Sequence, residues 1–303
     1  MVRDPTPHLA WAARSHAGET GKNNEDRWSV LGYHLETDNT PLTLAVVTDG
    51  IGGHQAGEVA AEVALDTFVR SLATYREGDP IAALQAAVAN ASRAVSEASF
   101  EAPEREGMGS TLSAAWVIGQ RLYTVSVGDS RIYRLRGGRL QQLTIDHTWV
   151  QEAIEHKIIP PSMAHRHPNA HVLRRHLGSK EEVEPDFRLR LSSQETDEQS
   201  RANQGLTLLP DDRLLLCTDG LTDLVHDGEI RSALRHTNLE RAAEHLISLA
   251  RRRGGFDNIT VVVLAVPGLP AVRRRHWLRW TLAILILLGL GLAAWLLIPR
   301  LAL

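Results

Sequence analysis

One cysteine in 303 residues, Cys217, leaves no intrachain disulfide to staple the fold and suits a reducing compartment. The first ten residues, MVRDPTPHLA, lack the apolar stretch of a secretory signal. No internal repeat is visible. A basic excess is also missing. Five of the 33 Lys and Arg fall after residue 272 with no acid among them, leaving 28 basic side chains against 36 acidic ones before that point. Such a balance argues against nucleic acid as a partner, because binding a phosphate backbone calls for a basic surface. It leaves carboxylates to spare for cations.

Long uncharged runs are absent with one exception. Thr281 to Ile298, TLAILILLGLGLAAWLLI, spans 18 residues without a charge, about the length that crosses a bilayer core. Trp277, Trp280 and Trp295 suit its interfaces, and the basic run RRRHWLR at 273–279 precedes it. The expectation is a single carboxyl-terminal transmembrane helix at 281–298 in the inner, cytoplasmic membrane, a basic linker at 269–280 and a short tail at 299–303. By the positive-inside bias the large amino-terminal part stays in the cytoplasm.

Residues 1–268 read as one α+β domain. A strand over 41–49 leads into a helix from Gln55 to about Leu72, and Asp79-Pro80 starts a second helix with Ile81, Leu84, Val88, Ala91 and Val95 on one face. Two such helices on a short connection pack antiparallel. Strands Ser110–Ile118, Arg121–Val127, Arg131–Arg136 and Arg139–Leu143, separated by glycine turns, predict an antiparallel meander. Residues 146–180, with six histidines, read as a mobile, irregular flap whose spacing matches no compact zinc pattern. The polar stretch 192–205, SSQETDEQSRANQG, reads as a disordered insertion. Strand Arg213–Cys217, helix 239–252 and strand Ile259–Val266 complete the domain. Helices segregated from antiparallel strands predict a layered sandwich, two sheets with helices outside.

Four acidic sites share one context, an acid at a strand end or beside a glycine turn: Glu25-Asp26 in NNED, Asp49-Gly50 in VVTDGIGGHQAGE, Asp219-Gly220 in LLLCTDGLTD, and Asp257 in GGFDNIT. Adjacent strands would bring Asp49 and Asp219 to one rim, where like charges are costly unless a cation sits between them. Oxygen-rich ligation favours a hard ion, Mg²⁺ or Mn²⁺. Two such ions can share a water and make it a hydroxide able to attack phosphorus at neutral pH.

These motifs, with GSTL at 109–112, VGDSRIYRL at 127–135 and LTIDH at 143–147, resemble in order those of the metal-dependent Ser/Thr protein phosphatases, the PPM or type 2C family, in its bacterial form. The resemblance spans residues 11–266. It implies an α-β-β-α sandwich with a binuclear Mn²⁺/Mg²⁺ centre that hydrolyses phosphoserine and phosphothreonine in proteins without a phosphoenzyme, opposing a Ser/Thr kinase. Carried over by position, Asp49 would bridge both ions and the Gly50 carbonyl would join one. Asp219 and Asp257 would hold the other, Asp26 with Glu25 would hold metal-bound waters, and Asp129 would share a third, weaker ion with Asp219. His54 lies in the loop after the metal strand, where it either anchors the loop or moves a proton.

Two positions depart from the family's pattern. Members usually carry an arginine five residues before the aspartate matched by Asp26, where it grips the phosphate; here Gly21 stands there with Lys22 beside it. Many eukaryotic members have a histidine directly after the Asp-Gly, where this chain has Ile51, as bacterial forms commonly have an apolar residue. Cysteine phosphatases need Cys-x5-Arg, but the sixth residue after Cys217 is Asp223. Haloacid-type phosphatases need Asp-x-Asp, but Asp49 is followed by Gly50-Ile51. A fold retained only to bind phosphoproteins would show lost metal aspartates; all are present.

Overall fold

The computed structural model describes residues 1–52 and 56–268. His54, the linker at 269–280, the span at 281–298 and the tail lie outside the described residues. In chain order the elements are β1 (Val2–Asp4), β2 (Ala10–His16), β3 (Asp26–His34), β4 (Pro41–Ile51), α1 (Ala56–Ala73), α2 (Pro80–Ser99), β5 (Gly109–Ser110), β6 (Leu112–Ile118), β7 (Arg121–Val127), β8 (Arg131–Arg136), β9 (Arg139–Gln142), α3 (Trp149–Glu155), α4 (Asp197–Ala202), β10 (Leu206–Thr207), β11 (Arg213–Cys217), α5 (Asp219–Thr222), α6 (Asp227–Leu234), α7 (Leu239–Arg252) and β12 (Ile259–Ala265).

The strands form two antiparallel sheets. One runs β1-β3-β4-β6-β7-β10 with β5 on the end of β4; the other runs β2-β12-β11-β8-β9. Both are buried on two faces, which is why the central strands read as unbroken apolar runs. Along β4, Leu42, Leu44 and Val46 pack under α1 and α2 with Phe68 and Val88, while Ala45 and Val47 face the other sheet, meeting Ile132, Leu216 and Val262. Along β12, Val261 and Val263 turn outward onto Ile230, Leu246 and Ile247 of α6 and α7. The period of two thus feeds three apolar layers, and the order is helix, sheet, sheet, helix. The second helix begins as its signal requires: Asp79 accepts from the Ile81 amide at 2.9 Å, with Pro80 in the first turn.

Three expectations need correction. The predicted meander is split: β6 and β7 pair in the first sheet, β8 and β9 in the second, and the Gly128–Ser130 turn carries the chain between layers. Alternation and a glycine turn look the same for a hairpin and for a crossing, so pattern alone did not separate them. The polar stretch 192–205 is folded. Thr196 and Gln199 close a reciprocal capping box on α4, and the Gln204 side chain accepts from the Thr124 amide at 2.9 Å and donates to the carbonyls of Thr124 and Phe187 at 2.8 and 2.9 Å. Its polar residues are there to bond backbone. Finally, the flap is not irregular throughout. It holds α3, capped by Thr148, and a 3-10 turn at Pro161–Arg166. Trp149 stacks on His167 at 4.7 Å between centroids, and the returning segment makes isolated bridges, Leu173 to Thr148 and Leu177 to Ser110.

Candidate metal centre

The acids do converge, though not as neighbouring strands. Asp49 lies near the end of β4 in the first sheet, whereas Asp219 follows β11 in the second and opens α5. The two meet across the sandwich rather than along one rim. Asp26, at the start of β3, is paired directly with Asp49, and Thr218 Oγ1 reaches across from the other sheet to donate to Asp26 Oδ2 at 2.9 Å.

The strand end explains VVTDGIGGHQAGE. A Cβ on Gly50 would come within 2.0 Å of the Gly57 carbonyl oxygen, so only glycine lets the first turn of α1 close over the strand. The Asp49 backbone is pinned on both sides: its N–H donates to Thr111 Oγ1 at 3.0 Å, and its carbonyl accepts from the Thr111 amide at 2.8 Å and Ser110 Oγ at 3.1 Å. That gives GSTL a role, holding the aspartate's main chain.

Electrostatically the site is a concentration of unpaired negative charge. Burial raises the Asp26 carboxyl from 3.8 to about 7, with the Asp219 and Asp257 charges adding to it against hydrogen bonds from Thr260 and Thr218. Burial likewise raises Asp219 to about 7, aided by Asp223 and Asp257. Asp49 is pushed well above the carboxylate range by burial and by Asp26, Asp219, Asp129 and Asp257, and Asp129 by burial, Asp219 and Asp146. Among the described residues no Lys or Arg forms an ion pair with Asp26, Asp49, Asp129 or Asp219. Asp26 Oδ1 and Asp219 Oδ1 are buried with no hydrogen-bond partner. Carboxylates packed this way are costly unless divalent cations satisfy them, so the donor set fits hard ions.

Asp257 is exposed, and its Oδ1 accepts from the Asn258 amide at 2.8 Å. Lys22 is exposed too, near enough for its charge to oppose the upward shift that burial and Asp257 impose on Glu25. Gly21 has φ +76° and faces open space, with no atom within 4 Å of where a Cβ would stand. Three residues of the site escaped the sequence reading. Asn258 accepts from the Glu25 amide at 2.7 Å and donates to the carbonyls of Ala17 and Asn23 at 3.0 Å each, so it braces the loop that carries Lys22 and Glu25. Its signal lay in GGFDNIT, beside Asp257. His171 Nδ1 lies 3.3 Å from Asp223 Oδ2, and with Asp219 these groups offer ligand atoms within 4.8 Å of one another. His171 comes from the flap, far along the chain, and no local pattern marks it.

The family model for protein phosphatase 2C matches residues 14–251. The serine/threonine protein phosphatase PstP of Mycobacterium tuberculosis is 40% identical over 258 residues, 85% of this chain and 45% of PstP, so the chain spans about half the length of that relative. The serine/threonine phosphatase stp of Listeria monocytogenes is 32% identical, covering 83% of this chain and 93% of stp. Among solved structures, the catalytic domain of PstP in complex with two manganese ions superposes with a TM-score of 0.69 at 38% identity, over 86% of this chain and 98% of that one. The paired sheets, the gathered acids and these matches agree: this chain belongs to the protein phosphatase 2C family.

Proposed function

We propose that this protein is a Mn²⁺- or Mg²⁺-dependent serine/threonine protein phosphatase. The observation that carries the reading is the set of acids gathered from strand ends and turns of both sheets, Asp26 and Asp129 buried and Asp49 and Asp219 half-buried, with two orphaned carboxylate oxygens and no ion pair to Lys or Arg among the described residues. Asp49 and the Gly50 carbonyl, Asp219 and Asp257 would hold two ions, with Asp26 and Glu25 behind them and Asp129 sharing a third ion with Asp219. When bound, the ions supply Lewis acidity and a water that is nucleophilic at neutral pH.

The protein's own groups set the stage for that chemistry. Thr218 orients Asp26 from the opposite sheet, Thr111 and Ser110 fix the Asp49 backbone, and Asn258 braces the loop from which Lys22 would meet the substrate phosphate. Lysine offers a point charge there, without the fork of a guanidinium. The alternative, a phosphoprotein-binding module without activity, gains nothing from keeping so costly a group of acids.

The substrates would be phosphoproteins modified by a Ser/Thr kinase, at the membrane. Among the described residues no helix is long and apolar enough to cross a bilayer; the anchor rests on the uncharged run 281–298 with its basic flank. Hydrolysis of phosphothreonine and phosphoserine peptides with Mn²⁺, abolished by chelator, tests the activity. Metal-independent turnover refutes it.

A further inference from the structure

The motif LTIDH supplies none of the candidate ligands named above, yet its last two residues hold both ends of the turn that carries Asp129. At one end, Asp146 accepts from Arg131 through Nε at 3.0 Å to each oxygen and through Nη2 at 2.6 Å. At the other end, the His147 amide donates to the Gly128 carbonyl at 3.0 Å, and the Gly128 amide donates to His147 Nδ1 at 3.0 Å. Asp129 sits between these grips, within a turn that passes from one sheet to the other.

The imidazole is buried and its chemistry is fixed by its two partners. Nδ1 accepts from an amide, so the ring proton is on Nε2, which donates to Asp186 Oδ2 at 3.0 Å. Asp186 is itself held: Arg188 donates to it through Nε at 2.8 and 3.0 Å and Nη2 at 2.6 Å, and its main chain exchanges two 3.0 Å bonds with Ser126. The His147 carbonyl accepts from the Arg174 amide at 2.8 Å, where the flap returns. The buried ring therefore joins the turn to the segment leading to α4, and the His147 main chain ties both to the flap.

We propose that Asp146 and His147, backed by Asp186, are positioning residues that clamp the Gly128–Arg131 turn and hold Asp129 in place to bind a metal ion. Neither touches the reacting atoms. A merely structural histidine needs only to fill space, whereas this one must present an acceptor at Nδ1 and a donor at Nε2. The inference rests on the phosphatase reading only in taking Asp129 as a ligand.

The test separates the two nitrogens on the full chain in detergent. His147→Asn places an oxygen close to the Nδ1 position and keeps an acceptor for the Gly128 amide; His147→Gln reaches Asp186 but leaves that amide without a partner. Mn²⁺ binding followed by electron paramagnetic resonance of the free ion should show the weakest binding step lowered about tenfold or more in His147→Gln, the size of loss seen when a group behind a ligand is removed, and clearly less in His147→Asn. The split should appear at similar thermal stability. Nitrogen-15 NMR of the wild-type ring, which requires no variant to fold, should show the Nε2–H tautomer. An Nδ1–H tautomer, or equal losses in both variants, overturns the clamp while leaving the phosphatase reading intact if Asp49→Asn is inactive. If Asp49→Asn instead keeps both Mn²⁺ binding and turnover, the reading and the clamp fall together.

Discussion

Asp26 and Asp49 stand directly opposite one another across the β3–β4 pair, two carboxyls at paired positions of one antiparallel ladder. Side chains so placed share a face and lie close together, and like charges there destabilise the sheet. The folded protein therefore resists ionising them, and a cation removes the conflict.

The first prediction is a dependence of stability on pH that metal reverses. Asp26 and Asp219 rise from 3.8 to about 7 on folding. Between those values the folded, ion-free protein holds protons that the unfolded chain has released. Their contribution is present in full below about pH 4 and is lost as pH rises through about 7. In chelator, the melting temperature should fall between about pH 5 and pH 8, and saturating Mn²⁺ should raise it more at the upper end. A melting temperature that climbs over that range in chelator contradicts the account.

The phosphate grip gives a second. Lys22→Ala should raise KM several-fold with little change in kcat, since it removes a charge that meets the ground state and the transition state alike. Gly21→Arg should lower KM. Its open surroundings accept the side chain, but the left-handed φ of +76° makes it cost about 1 kcal/mol of stability. Peptide kinetics with both variants decides; an unchanged KM in Lys22→Ala places the grip elsewhere.

Much of this was legible in the sequence, and the failures share a cause. Apolar runs doubly buried, the Asp79-Pro80 start and the Asp-Gly strand ends all express local rules, so the elements and most of the acids could be read directly. What pattern does not contain is which sheet a strand joins. The Gly128–Ser130 crossing and the meeting of Asp49 with Asp219 across the layers depend on packing between residues distant in sequence. His171 reaches Asp223 for the same reason. The stretch 192–205 misled through composition, because polar side chains that bond backbone look like those that meet only water.

That stretch supplies a third prediction. Thr196→Ala removes the cap of α4 and half of its box, and should cost about 1 kcal/mol. In a domain of this size that lowers the melting temperature by roughly 2–4 °C. Phosphatase activity at low temperature should be unchanged. Rapid amide exchange throughout 197–204 in the wild type would contradict the folded helix.

A fourth concerns the run 281–298. The full chain should sediment with membranes and withstand alkaline carbonate, while a chain ending at residue 268 should be soluble and active. Full-length protein in the soluble fraction refutes the anchor.

The central claim is that Asp49 holds the metal on which hydrolysis depends, and turnover of a phosphothreonine peptide by Asp49→Asn in saturating Mn²⁺ tests it most directly. The carboxamide keeps the shape and lightens the charge, so the variant should fold and, in chelator, melt no lower than wild type. Its kcat/KM should fall by about a thousandfold or more. Retention of more than about a tenth of wild-type activity contradicts the account.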